Sequence, residues 1–199
     1  MRATLQHDLF DAPPALPDGF VYEPEFLTAD EERSLVAAIA DVPLEEAQYK
    51  QFTARRRTVS YGFEYDFSKN RLDTAGPMPD FLLPLRGKVA RWAGLVPDDF
   101  VHALVSEYRP GAPLGWHRDV PNFELIVGIS LGGWCRMRLR LYRPGERNRR
   151  EDVIALDLAP RSAYTMRGPA RWQWQHSVAP TKELRYSITF RTARAQASA

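Results

Sequence analysis

Cysteine is nearly absent: Cys135 is the one thiol in 199 residues. An intrachain disulfide is therefore excluded, as is a zinc site built from several cysteines. A reducing compartment such as the cytoplasm fits best. No run of 18 apolar residues occurs, so no membrane-crossing helix and no membrane partner are expected. Residues 1–17 are acidic and proline-rich and lack the apolar stretch of a secretion signal. Lysine is also scarce, since 23 of the 27 basic residues are arginine. Arginine forks match carboxylate and phosphate, which points to an anionic ligand, although a GC-rich genome produces the same bias.

What is present is ordinary globular composition, 44% hydrophobic and 26% charged. The length predicts one domain, at about 100–200 residues per domain. The net charge of +2 hides a split: residues 1–50 carry eleven acids against three bases, and residues 51–199 fourteen against twenty-four. Residues 1–20 read as an extended arm. Thr28 and Glu31 have capping-box spacing ahead of Leu35, Val36 and Ile39, which predicts a helix over about 29–41. Val59, Tyr61, Phe63, Tyr65 and Phe67 alternate with polar residues, predicting a strand or hairpin arm with one aromatic face. Leu82, Leu85, Val89 and Trp92 predict a second helix over about 80–93. From Val101 onward the chain reads as short strands, over 101–108, 123–131, 134–143, 152–158, 162–167, 172–178 and 184–191. Many short strands with turn signals between them imply a sandwich, barrel or jelly roll.

His117 and Asp119 are two residues apart, so on a strand both point to one face. With His176 they offer two imidazoles and one carboxylate, the ligand set of non-haem Fe(II) oxygenases. The pair is also consistent with an ordinary His–Asp hydrogen bond. On the last predicted strand, Leu184, Tyr186, Ile188 and Phe190 form an apolar face, and Arg185, Ser187, Thr189 and Arg191 the other. The polar face suits a small dicarboxylate or simply water. The two arginines lie roughly 20 Å apart along a strand, so both reach one small ligand only by leaning inward. His102 reads as a packing or hydrogen-bonding residue, Cys135 as an inert buried thiol, and Arg136, Arg138 and Arg140 as a solvated strand face. Trp172 and Trp174 read as packing beside His176.

Taken in order, Ser106–Gly111, His117-Arg118-Asp119, Ile129–Gly132, Ala170–His176 and Arg185–Arg191 closely resemble the AlkB family of iron(II)/2-oxoglutarate dioxygenases. The resemblance spans about residues 100–193, with a weaker echo of the family's substrate lid from Tyr61 to Pro79. It implies a mainly-β (α+β) fold, a double-stranded β-helix (jelly roll) with two or so supporting N-terminal helices. The divisions are then an arm (1–20), helices and lid (21–100) and a catalytic core (101–193). It implies Fe(II) on His117, Asp119 and His176, and 2-oxoglutarate with its distal carboxylate on Arg185. Arg191 would sit toward the metal-side carboxylate, with Tyr108, Ser106 and Ser187 as hydrogen-bond partners. O2 is the co-substrate, and the family's reaction on an N-methyl group amounts to demethylation with loss of formaldehyde. Ser106 and Ser187 stand where several relatives have Asn, and Ser177 where Gly is usual.

The substrate expected on these grounds is alkylated DNA or RNA, met by a monomeric enzyme. Arg55, Arg56 and Arg57 would bind phosphate and Tyr61, Phe63 or Tyr65 would stack on a base. The lid has no tryptophan, which keeps open the same chemistry on a protein side chain or small metabolite.

Overall fold

The computed structural model describes residues 15–49, 52–66, 71–145, 149 and 152–195. In chain order these form β1 (Phe20–Glu23), α1 (Ala29–Ala40), β2 (Glu45–Tyr49), β3 (Phe52–Tyr61), β4 (Phe63–Asp66), β5 (Arg71–Thr74) and α2 (Leu83–Ala93). The remainder is β6 (Phe100–Tyr108), β7 (Leu114–His117), β8 (Phe123–Gly132), β9 (Cys135–Leu141), β10 (Ile154–Leu158), β11 (Ala163–Met166), α3 (Gly168–Trp172), β12 (Trp174–Val178) and β13 (Arg185–Ala193). Phe67 of the expected aromatic ladder lies outside the described residues. No described helix is long and apolar enough to cross a membrane.

The capping box forms as its spacing dictates. Thr28 Oγ1 accepts the Glu31 amide at 3.2 Å, and Glu31 Oε2 accepts the Thr28 amide at 2.7 Å. Glu31 also accepts Lys88 Nζ at 2.8 Å, so the cap of α1 fastens α2. The second helix begins as a 3-10 turn, Asp80–Leu82, and ends at Gly94, whose φ of +73° closes the last carbonyls.

A seven-stranded sheet runs β1-β11-β8-β13-β6-β3-β2 and faces a four-stranded sheet, β10-β9-β12-β7. Two cores result. One lies between the sheets, with Phe123 and Ile126 against Met137, Leu139 and Leu158. The other lies outside the large sheet, where α1 and α2 bury Leu35, Ile39 and Val89 against Val105, Val127 and Ile188. Each such side chain contributes about 1.5–3 kcal/mol on leaving water. Covered on both faces, β8 and β13 are buried along nearly their whole length. The polar face of β13 is therefore interior, not solvated.

The aromatic ladder departs from the expected single strand. Gly62 has φ of +81°, and a Cβ there would lie 2.0 Å from the Val101 carbonyl oxygen. The chain breaks at this close approach. β3 stays in the large sheet, while β4 leaves to pair with β5 as a separate hairpin. The expected strand over 172–178 is likewise shorter, because Trp172 ends the short helix α3. Leu184 precedes β13 and is exposed, so it is not part of the apolar face.

Glu107 on β6 is 5% exposed. It accepts Arg57 Nε and Nη2 at 2.9 and 2.7 Å and Arg109 Nε at 3.0 Å. The Arg57 guanidinium holds its carboxyl below the usual range. A depressed folded value means this stabilisation is complete above the ordinary carboxylate pKa, about 4.3, and fades as pH falls through it. Glu107→Gln should therefore cost about 1–2 kcal/mol at pH 7, discounted for the part-exposed Arg57, and less near pH 3. Urea unfolding at the two pH values measures the difference.

Candidate active site

The short strand β7 carries His117 to the inner side of the small sheet, and β12 pairs with it so that His176 sits directly opposite. Cross-strand neighbours in an antiparallel pair are close by construction, and the two imidazole centroids are 4.1 Å apart. Asp119 follows just beyond β7, with Oδ2 3.6 Å from His176 Nε2. One ligand atom from each of the three lies within 4.8 Å of the others. Gly115 O lies 2.9 Å from His117 Nδ1. With the proton on Nδ1, that contact leaves Nε2 free as a ligand atom.

Charge at this cluster is arranged for a cation. Burial pushes His176 down to about 3 and lowers His117, so both imidazoles are neutral at pH 7. Burial opposes ionisation of Asp119, but Arg191 and the neighbouring imidazoles prevail and hold its carboxyl well below the usual range. Neutral imidazoles and an ionised carboxylate are the state a divalent metal requires. Arg191 Nε and Nη2 both donate to Asp119 Oδ1, at 2.9 and 2.6 Å, and Nη1 donates to His102 Nδ1 at 3.1 Å. Arg191 thus gives three of its five N–H donors to Asp119 and His102, and it lines the same cavity as the three clustered side chains.

Arg185 lies at the other end of the same face, as the strand rise dictates. It is 2% exposed, stacks its guanidinium 4.9 Å from the Tyr108 ring centroid, and donates from Nε to Ser130 Oγ at 3.0 Å. Its Nη1 is buried without a hydrogen-bond partner. An unpartnered buried guanidinium nitrogen is costly and fits a missing anion. Between the two arginines, Ser187 pairs across to Ser106 on one side and Ser130 on the other. Register thereby sets a row of hydroxyls across three strands. Arg185, Ser106, Tyr108 and Ser187 line one cavity with His117, Asp119 and His176. Its volume is about 490 Å³ when the open mouth is counted. The residues present therefore fit both groups: a divalent metal on the N,N,O cluster, and a 2-oxo dicarboxylate spanning from it to Arg185.

The expected substrate residues divide. Strand alternation sends only Arg56 of the arginine triplet to the cavity, where its Nε is buried and unpartnered. Arg57 pairs with Glu107, and Arg55 is exposed. Tyr61 packs on the helix-side core and Phe63 on the inter-sheet core, so neither ring lines the cavity. Tyr65 lies on β4 opposite Leu72. Arg136 is paired with Asp157, while Arg138 and Arg140 bond Ser177 and Gln175 across β12 and lie over the Trp116 ring. These arginines form a structured outer face rather than a merely solvated one. Cys135 is buried, with its thiol pushed up by burial. Trp172 donates to Glu124, and Trp174 packs on the inter-sheet core. One cavity residue, Tyr164, carries no signal in the sequence: a lone tyrosine in a strand gains meaning only from its cross-strand partner.

Residues 19–191 match the model of the 2OG-Fe(II) oxygenase superfamily. The chain is 30% identical over 180 residues to the alkylated DNA repair protein ALKBH8 homolog of Arabidopsis thaliana, covering 80% of this chain and 50% of that protein. It is 29% identical over 176 residues to the Xenopus tropicalis tRNA (carboxymethyluridine(34)-5-O)-methyltransferase alkbh8, covering 85% of this chain and 26% of that protein. The chain thus spans half or less of these relatives. The structure of OsALKBH1 superposes with a TM-score of 0.67 at 16% identity, covering 87% of this chain and 96% of that one.

Proposed function

Because the chain belongs to the 2OG-Fe(II) oxygenase superfamily as an AlkB-like dioxygenase, we propose that it oxidatively demethylates alkylated bases in DNA or RNA, in repair or RNA modification. The observation that carries this reading is the pairing of one cation cluster, His117, Asp119 and His176, with the buried, unpartnered Arg185 in a single cavity. The names of the relatives, an alkylated DNA repair protein and a tRNA (carboxymethyluridine(34)-5-O)-methyltransferase, support a nucleic-acid substrate. When bound, Fe(II) with 2-oxoglutarate and O2 supplies the oxidant that hydroxylates a C–H bond, yielding succinate and carbon dioxide.

The chain's own residues divide the remaining work. His117 and His176 would hold the metal from adjacent strands and Asp119 would add the one anionic ligand. Arg191 fixes the Asp119 carboxylate by two donated hydrogen bonds, which leaves Oδ2 turned toward the imidazoles. Arg185, with its planar guanidinium fork, would clamp the distal carboxylate of the co-substrate. Ser106, Tyr108 and Ser187 offer hydroxyls along the path between. Arg56 lines the same cavity and would meet a phosphate beside a base flipped out of its stack.

Two outcomes of one experiment separate the substrates. Methylated single-stranded oligonucleotides, incubated with Fe(II) and 2-oxoglutarate, should release formaldehyde, and Arg56→Glu should weaken oligonucleotide binding about tenfold at low salt with a shallower salt dependence. Absence of both binding and formaldehyde would overturn the nucleic-acid reading. Succinate production stimulated only by a peptide or metabolite would establish the second reading, which the inward-turned Tyr61 and Phe63 favour.

A further inference from the structure

Tyr164 on β11 sits directly across from Gly128 on β8, which in turn faces Thr189 on β13. The absence of a side chain at Gly128 is what the ring occupies. A Cβ there would lie 2.3 Å from Tyr164 Cζ, 2.4 Å from Cε1 and 2.5 Å from the hydroxyl oxygen. The phenol therefore crosses β8 at the glycine and reaches toward β13, onto the face that carries Arg185, Ser187, Thr189 and Arg191. Phe20 from β1 stacks on it, with centroids 5.6 Å apart and planes within 6°, which fixes the ring's direction. Tyr164 lines the cavity, and among the described residues its hydroxyl makes no hydrogen bond. Burial raises the phenol well above its ordinary value, so it is a neutral donor at any working pH.

We propose that the Tyr164 hydroxyl, seated over Gly128, is a co-substrate-binding donor that hydrogen-bonds the dicarboxylate held by Arg185. This rests on the oxygenase reading above. It assigns a role to a ring that neither helix nor sheet packing requires to be a tyrosine. A phenylalanine would fill the same slot and keep the Phe20 stack. The hydroxyl is the part that only a polar ligand uses. A hydrogen bond to a charged group is among the stronger ones, and its loss is visible in affinity.

The test is calorimetric titration of 2-oxoglutarate into protein saturated with Mn(II), which stands in for Fe(II) without turnover. Tyr164→Phe should weaken 2-oxoglutarate binding about tenfold, with Mn(II) affinity and melting temperature unchanged. Gly128→Ala should weaken it at least as much with Tyr164 intact, because the methyl displaces the ring. Wild-type affinity in Tyr164→Phe, with or without a lowered melting temperature, would overturn the proposal and leave the oxygenase reading standing. Failure of the wild-type protein itself to bind 2-oxoglutarate would overturn both.

Discussion

Replacing Asp119 with Asn is expected to abolish succinate formation and to weaken Mn(II) binding by more than about 100-fold. A group standing behind a metal ligand typically costs 10–100-fold when removed, and Asp119 would be a ligand itself, the only anionic one of the three. The asparagine keeps the shape and one acceptor oxygen, so Arg191 retains a partner and the fold survives. Asp119→Ala should behave differently. It leaves the Arg191 guanidinium, 10% exposed, with no carboxylate for the donors it now gives to Asp119. Breaking a buried pair from one side costs about 3–5 kcal/mol. The alanine variant should therefore lose stability as well as metal, and the asparagine variant chiefly metal. Urea unfolding beside a metal titration distinguishes the two, and equal destabilisation by both would show that Arg191 is held by something other than Asp119.

The second large effect falls on Arg185. Arg185→Ala should weaken 2-oxoglutarate binding by about 100-fold or more, as for removal of one member of a desolvated charge pair, while the Mn(II) affinity stays near wild type. The free protein should lose little stability, since the wild-type side chain already carries a buried nitrogen without a partner. In the wild type, 2-oxoglutarate should raise the melting temperature by satisfying that nitrogen, and in the alanine variant this rise should vanish. Lysine at 185 should recover only part of the affinity, because one ammonium cannot fork onto a carboxylate. An unchanged 2-oxoglutarate titration in Arg185→Ala would remove the residue from the co-substrate site.

What was legible in the sequence was written in local rules. Thr28 and Glu31 announce α1 because both halves of the cap are side chain to nearby backbone. Cys135, Met137 and Leu139 announce β9 because its partners leave one face wet. β7 was not legible as a strand, since four residues containing Gly115 show no period; only the His117–His176 pairing gives it an identity. The division of the aromatic ladder was hidden because it depends on Gly62 lying against the Val101 carbonyl, a contact between segments about 40 residues apart. The same holds for the site. His117, Asp119, His176 and Arg185 follow from residue type and order together with the family resemblance. That Arg191 belongs to Asp119, that Arg57 belongs to Glu107, and that Arg56 alone of its triplet faces the cavity are matters of register.

All of this depends on one cation shared by three side chains. Anomalous diffraction from crystals grown anaerobically with Mn(II) and 2-oxoglutarate locates it directly. The account predicts one ion per chain bonded to His117, Asp119 and His176, with the far carboxylate of the acid against Arg185. An ion bound elsewhere, or these three side chains left without metal at saturating Mn(II), would contradict it.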